Sequence, residues 1–155
     1  MPNFSINRDY LGCFGLLPKR AKTRAVVIHH TCTTSPAKTR EVLRKKGCST
    51  HFEVDKDGTI YQYADLDRRC AHASAYNNRS IGVDITHAAG AEFPRVQLLA
   101  ARKLLDWLAC EFRLPRVVFV DTPCGFYFHR AVSDTECPQN FPADIFGSEY
   151  DGPES

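Results

Sequence analysis

The sequence predicts an α/β fold: a single domain with a mixed central β-sheet flanked by helices. Three observations predict it. Short runs of β-branched and aromatic residues are interleaved with two stretches of helical periodicity. Strong turn signals separate these runs, notably Gly47 after the first helical stretch and Asp57-Gly58 between two strand-like segments. The chain has 155 residues, which suits one domain able to bury roughly two-thirds of its unfolded surface without disulfide staples.

The elements follow in order. Residues 1–24 contain Gly, Pro and a basic cluster (Lys19, Arg20, Lys22, Arg24), and are expected to be an irregular lead-in with a solvated charged surface. Ala25-Val-Val-Ile-His-His30 is a buried strand. Ser35-Pro36 provides an N-cap and a first-turn proline for a helix ending near Lys46. Its Arg40, Arg44, Lys45 and Lys46 lie mostly toward the C-terminal end, where cations suit the helix dipole. His51–Val54 and Thr59–Tyr63 flank Asp57-Gly58 as a hairpin. Residues 64–79 form a loop long enough to suggest function. Ser80–Thr86 is a further strand. Pro94 to about Phe112 is the strongest helix, with Val96, Leu99, Leu104, Trp107, Leu108 and Phe112 on its apolar face and Arg102, Lys103 and Asp106 off it. Arg116–Val120 is another apolar strand. The domain is expected to span 25–145, with 146–155 a short acidic tail. There is no internal repeat.

Composition excludes several function classes. Lys plus Arg number 20 and Asp plus Glu 18, a net charge of +2. That balance does not point to nucleic acid. No apolar run approaches the ~18 residues of a membrane span, so no membrane insertion is expected. The N-terminus shows no secretory signal pattern, which gives an expectation of cytoplasmic synthesis. Seven cysteines without a signal read as thiols and metal ligands rather than a disulfide framework. Cys13, Cys32, Cys48, Cys70, Cys110, Cys124 and Cys137 form no Cys-x-x-Cys pair; Cys110 is expected to pack in its helix and Cys32 to be a buried thiol.

Histidine and cysteine carry the candidate chemistry. His29 ends the first buried strand, and His129 precedes Cys137 by eight positions. A catalytic zinc site takes three protein ligands and keeps a fourth position open. His29, His129 and Cys137 would supply three, although six histidines and seven cysteines allow other triples. The chain lacks a phosphate-cradling glycine loop and a Gly-x-Ser-x-Gly elbow.

Five segments narrow the choice: Val27-Ile28-His29-His30-Thr31, His51-Phe52-Glu53-Val54 with Asp57-Gly58-Thr59-Ile60, Ala71-His72-Ala73, Asn77 with Ser80-Ile81-Gly82-Val83, and His129 through Thr135-Glu136-Cys137-Pro138. In this order they resemble the zinc-dependent N-acetylmuramoyl-L-alanine amidases, the family of phage amidase endolysins, peptidoglycan recognition proteins and wall-recycling amidases. The resemblance covers residues 25–138.

It implies an amidase-like fold, one zinc ion held by His29, His129 and Cys137, and bacterial peptidoglycan or muropeptide as partner. His30 points away from His29 on a strand and is expected to be a core or supporting histidine. The endolysin and recognition-protein branches carry a tyrosine where this chain has Thr50; the recycling branch carries a glutamate where this chain has Asp84. Asp84 is therefore the expected acid/base residue, its pKa raised by apolar neighbours, against a structural role of orienting a ligand histidine. Thr135 stands where the family has lysine or threonine and is expected to donate to the oxyanion, against a backbone-bonding role. Thr50, His72 and Asn77 are expected at the substrate groove, Asn77 equally as a turn residue. Cys137 matches the endolysin side and Asp84 the recycling side. The resemblance thus implies an enzyme that acts on the cell wall as a bacteriolytic lysin. A cytoplasmic recycling amidase and a family binding module without turnover are the alternatives, and a monomer is the default expectation.

Overall fold

The computed structural model describes residues 2–119 and 125–152. Its elements run β1 (Ala25–His30), α1 (Pro36–Lys46), β2 (Phe52–Val54), β3 (Ile60–Gln62), β4 (Ser80–Ile85), α2 (Arg95–Phe112), β5 (Val118–Phe119), β6 (Gly125–Phe128) and α3 (His129–Val132). The strands form one sheet in the order β3-β2-β4-β1-β6-β5. Among the described pairs of named strands, only the hairpin pair β2–β3 is antiparallel; the others are parallel. This is the mixed α/β sheet that the interleaved pattern predicts.

Local chemistry sets the boundaries. Ser35 caps α1 by accepting from the Lys38 N–H, Pro36 opens the helix, and Gly47 ends it at φ 67°, where a side chain would be strained. The hairpin turns through Asp57-Gly58. Residues 64–79 have no strand and one short 3-10 turn, Ser74–Tyr76. Val118–Phe119 realises part of the expected strand at 116–120; Val120 lies outside the described residues.

Two adjacent elements escape the sequence reading. The strand β6 (Gly-Phe-Tyr-Phe) pairs with β1 from Ala25↔Gly125 to Ile28↔Phe128, and α3 follows it at once. Together they place His129 beside the end of β1.

Strand parity divides the sheet. Val26, Ile28, Phe52, Val54, Ile81, Val83, Ile85, Phe126 and Phe128 form one core cluster with Leu99, Leu104, Leu105 and Leu108 of α2. The alternate residues, including His29, His51, Glu53, Gly82 and Asp84, occupy the other face, beside α1 and the 64–79 loop. One expectation for α2 is corrected, and one residue is buried in an unforeseen way. Val96 is exposed. Arg102 lies off the apolar stripe but is buried, because residues 145–151 fold over it: its guanidinium reaches the Ile145 and Gly147 carbonyls and the Asp106 and Asp151 carboxylates. The lead-in is tied down by Asn7 beside Tyr61 and Lys19 beside Arg68. Arg20 is no freely solvated cation, since it bonds to the carbonyls of Ala21, Leu66 and Arg68.

Candidate metal centre

The polar face opens into a cleft of ≈ 550 Å³ lined by His29, Thr31, Lys46, Ser49, His72, Asn77, Asp84, His129, Thr135 and Cys137 among others. It lies toward the carboxyl ends of the parallel strands, where ligands bind in open α/β sheets. A larger cavity of ≈ 820 Å³, between residues 20–24 and 111–115, contains none of these donors.

His29, His129 and Cys137 each offer a ligand atom, and these atoms lie within 4.8 Å of one another. No other cluster of three such residues occurs among the described residues. Three different elements supply them: His29 comes from β1, His129 opens α3, and Cys137 follows in the next loop. Two imidazoles and one thiol form a donor set suited to zinc. Burial, followed by the neighbouring His72, His129 and His30, holds the His29 pKa well below 6.5. Burial lowers that of His129 as well. Both rings are neutral at neutral pH and keep the lone pair a metal needs. Burial pushes the Cys137 thiol up to about 12, while the His30 backbone N–H, 3.1 Å from Sγ, favours the thiolate. A divalent cation would supply the remaining stabilisation of that thiolate. The residues therefore fit zinc.

Asp84 is in register with His29 on one side and Glu53 on the other. Burial, then the charge of Glu53, pushes its pKa up to about 8; the Thr50 hydroxyl, 2.9 Å from Oδ1, opposes this. Among the described residues, Thr50 is its only hydrogen-bond donor.

The expected groove residues divide. Thr50 is fully buried beside Asp84, and its hydroxyl donates to Oδ1. Asn77 accepts from the His72 and Ala73 N–H groups at 3.0 and 2.7 Å, the turn alternative, and also lines the cleft. His72 lines the cleft with both ring nitrogens engaged: Nδ1 with His29 Nε2 at 2.9 Å and Nε2 with Ser80 Oγ at 3.1 Å. Thr135 Oγ1 accepts from the Cys137 N–H at 3.2 Å. His30 turns to His87, Nδ1 to Nδ1 at 3.3 Å, and stays out of the cluster. Cys32 and Cys110 are exposed rather than buried, and all described cysteines are free; Cys124 lies outside the described residues.

Sequence reading missed Glu53, Ser80 and His51. Glu53 is fully buried, with Oε1 accepting from Tyr63 and Oε2 from Thr39 and Thr86. His51 accepts the Gly82 N–H at Nδ1 and donates from Nε2 to the Arg68 carbonyl. All three stand in segments that carry the resemblance, but the local pattern around His51 and Glu53, His-Phe-Glu-Val, also describes a strand with a solvated face.

Comparison with known proteins places the chain. Residues 19–140 match the family model described as N-acetylmuramoyl-L-alanine amidase. The chain belongs to this family. A Rickettsia conorii protein named as an N-acetylmuramoyl-L-alanine amidase is 31% identical over 97 residues, 57% of this chain and 36% of that protein. Peptidoglycan-recognition protein LB of Drosophila melanogaster is 32% identical over 88 residues, 56% of this chain and 35% of that protein. The chain thus spans 35% to 36% of these relatives' lengths. Among solved structures, the N-acetylmuramoyl-L-alanine amidase LysC from Clostridium intestinale superposes with a TM-score of 0.79 at 23% identity, covering 96% of this chain and 99% of that one. Drosophila PGRP-LB superposes at 0.63 with 22% identity, covering 86% and 87%. At that identity the likeness shows the fold.

Proposed function

We propose that the chain hydrolyses the amide bond between N-acetylmuramic acid and L-alanine in bacterial peptidoglycan, as a zinc amidase. One observation carries the reading: the donors of His29, His129 and Cys137 converge within 4.8 Å in a cleft that also holds a buried carboxyl, in a chain matching the amidase family over residues 19–140. These three residues would hold the ion. When bound, zinc supplies Lewis-acid polarisation of the scissile carbonyl and lowers the pKa of water.

The protein's own groups handle the protons and the substrate. A carboxyl with a pKa near 8 exchanges a proton readily around neutrality, as a general acid or base must. Asp84 takes a proton from the attacking water and returns one to the departing alanine nitrogen. Thr50 holds Oδ1, which leaves Oδ2 for this exchange. The Thr135 hydroxyl oxygen is anchored by the Cys137 N–H, so its hydrogen can point to the oxyanion. Lys46, exposed at the rim, offers a cation to the carboxylates of a stem peptide.

The substrate form we favour is intact wall, with lysis as the outcome. The test is mass spectrometry of purified sacculi and, separately, of soluble muropeptides after incubation with and without a zinc chelator. Free L-alanine amino termini from sacculi, lost with chelation, are expected. Cleavage of soluble muropeptides alone would replace the lytic role with recycling. Binding of both substrates without cleavage, by protein carrying one zinc, would make the chain a recognition module.

A further inference from the structure

We infer that Ser80 and His72 are positioning residues: they set the tautomer of His29 so that its Nδ1 is the atom offered to the metal. The inference rests on the metal-site reading, and not on any substrate.

Each hydrogen in the chain of contacts has one place to go. Ser80 is fully buried at the start of β4, and its Oγ lies 2.7 Å from the Tyr76 carbonyl oxygen. A carbonyl only accepts, so the single hydroxyl hydrogen of Ser80 goes to Tyr76. The same Oγ lies 3.1 Å from His72 Nε2. With its hydrogen committed, Oγ must accept there, so His72 carries its proton on Nε2. Neither side-chain partner of the His72 ring is an anion, and the hydrogen bond at Ser80 that favours the charged form is outweighed by burial. Burial, then His51 and His129, lowers its pKa in keeping with this. The ring is neutral and its Nδ1 is a bare acceptor. His29 Nε2 lies 2.9 Å from that Nδ1 and must donate to it. One proton is then placed on the neutral His29 ring, at Nε2, and Nδ1 keeps its lone pair. A ligand histidine commonly has its tautomer fixed by the partner of its other nitrogen; here that partner is a histidine, itself fixed by a serine and a backbone carbonyl.

The relay explains two other features. Gly82 lies between Ser80 and Asp84 on the same strand face, and a Cβ there would sit 2.8 Å from both His72 Nδ1 and Thr50 Oγ1. A side chain at position 82 would displace both the relay and the support of Asp84. The long 64–79 loop also gains a purpose: it carries His72 on its middle and the Tyr76 carbonyl on its 3-10 turn.

The test uses zinc alone with the full chain, by competition against a chelator at neutral pH. Ser80→Ala is expected to weaken zinc binding about tenfold and His72→Leu roughly 10- to 100-fold. His72→Asn, whose side-chain oxygen can still accept from His29, should restore most of the loss. A second measurement needs no variant: histidine ring ¹⁵N NMR of the metal-free protein should show Nε2-protonated, Nδ1-bare rings at both His29 and His72. A His29 ring protonated at Nδ1 would overturn the proposal. So would a Ser80→Ala protein that melts earlier yet binds zinc with unchanged affinity, since that is what a purely structural serine gives.

Discussion

The two faces of the sheet are made by the same strands and differ by one residue of phase. Beneath α2, nine apolar side chains from β1, β2, β4 and β6 pack with no polar partner to satisfy. One residue along, the same strands present His29, His51, Glu53, Ser80 and Asp84, all buried and each tied to a named partner. The first face gains stability from area removed from water. The second is buried against the cost of desolvating ionisable groups, and that cost appears as histidine pKa values pushed down and carboxyl values pushed up. One face holds the fold, and the other holds a site which the fold makes possible.

One deletion on each face should separate the two roles. Leu104→Ala removes a fully buried side chain under α2 and should cost about 3 kcal/mol of stability, while the folded fraction still binds one zinc per chain. Cys137→Ala should do the reverse. Metal analysis would find no stoichiometric zinc, turnover would fall roughly a thousandfold, and metal-free stability would change by about 1 kcal/mol. If Leu104→Ala abolished zinc binding in folded protein, the two faces would not be separable.

How far each face could be read in advance follows from the same division. A run of β-branched residues marked β1, the Ser80–Thr86 segment marked β4, Asp57-Gly58 marked the hairpin, and capping chemistry at Ser35, Pro36 and Gly47 marked α1, because those signals are local. β6 was not legible: Gly-Phe-Tyr-Phe is four residues long, and only its pairing with β1 makes it a strand. The burial of Arg102 was not legible for a related reason. Periodicity located it off the apolar stripe, but the segment that buries it arrives from some 45 residues away. In the site, His29, His129, Cys137 and Asp84 were named through resemblance rather than spacing, and the structure brings them into one cleft. Glu53, Ser80 and the burial of Thr50 depend on which strands lie next to each other, and no local pattern carries that information.

A smaller effect tests the cost on the polar face. In metal-free protein the Asp84 pKa is about 8 against a reference of 3.8. Between those values the folded state holds a proton that the unfolded chain has released, so stability falls as pH rises through the window. His51, held at about 4 by burial, works in the opposite sense, its contribution present above 6.5 and lost as pH falls toward 4. The histidines are the same in Asp84→Asn, so the difference between the two proteins from pH 6.5 to 8 reports on Asp84. Asp84→Asn should be more stable than wild type at pH 8 by a few kcal/mol, with the advantage shrinking toward pH 4. Its turnover should fall by about two orders of magnitude or more. Melting curves in chelator across that range decide it; parallel profiles for the two proteins would mean that Asp84 carries no such cost.

The smallest effect concerns the coupling of the two buried carboxyls. Glu53 and Asp84 are register neighbours, yet Glu53 receives three hydroxyl donors and Asp84 one. Three donors favour the charged form, so Glu53 ionises first and its charge helps hold the proton on Asp84. Glu53→Gln keeps the shape and removes the charge. Thr39 has the Ser35 carbonyl as an alternative acceptor, so the substitution should cost only about 1 kcal/mol. The Asp84 titration, followed by ¹³C NMR of its carboxyl in metal-free protein, should move down by about one pH unit. The stability slope between pH 6.5 and 8 should flatten with it. An unmoved Asp84 titration would show that desolvation alone sets its proton affinity, and that the polar face is a set of separately satisfied groups rather than one electrostatic unit.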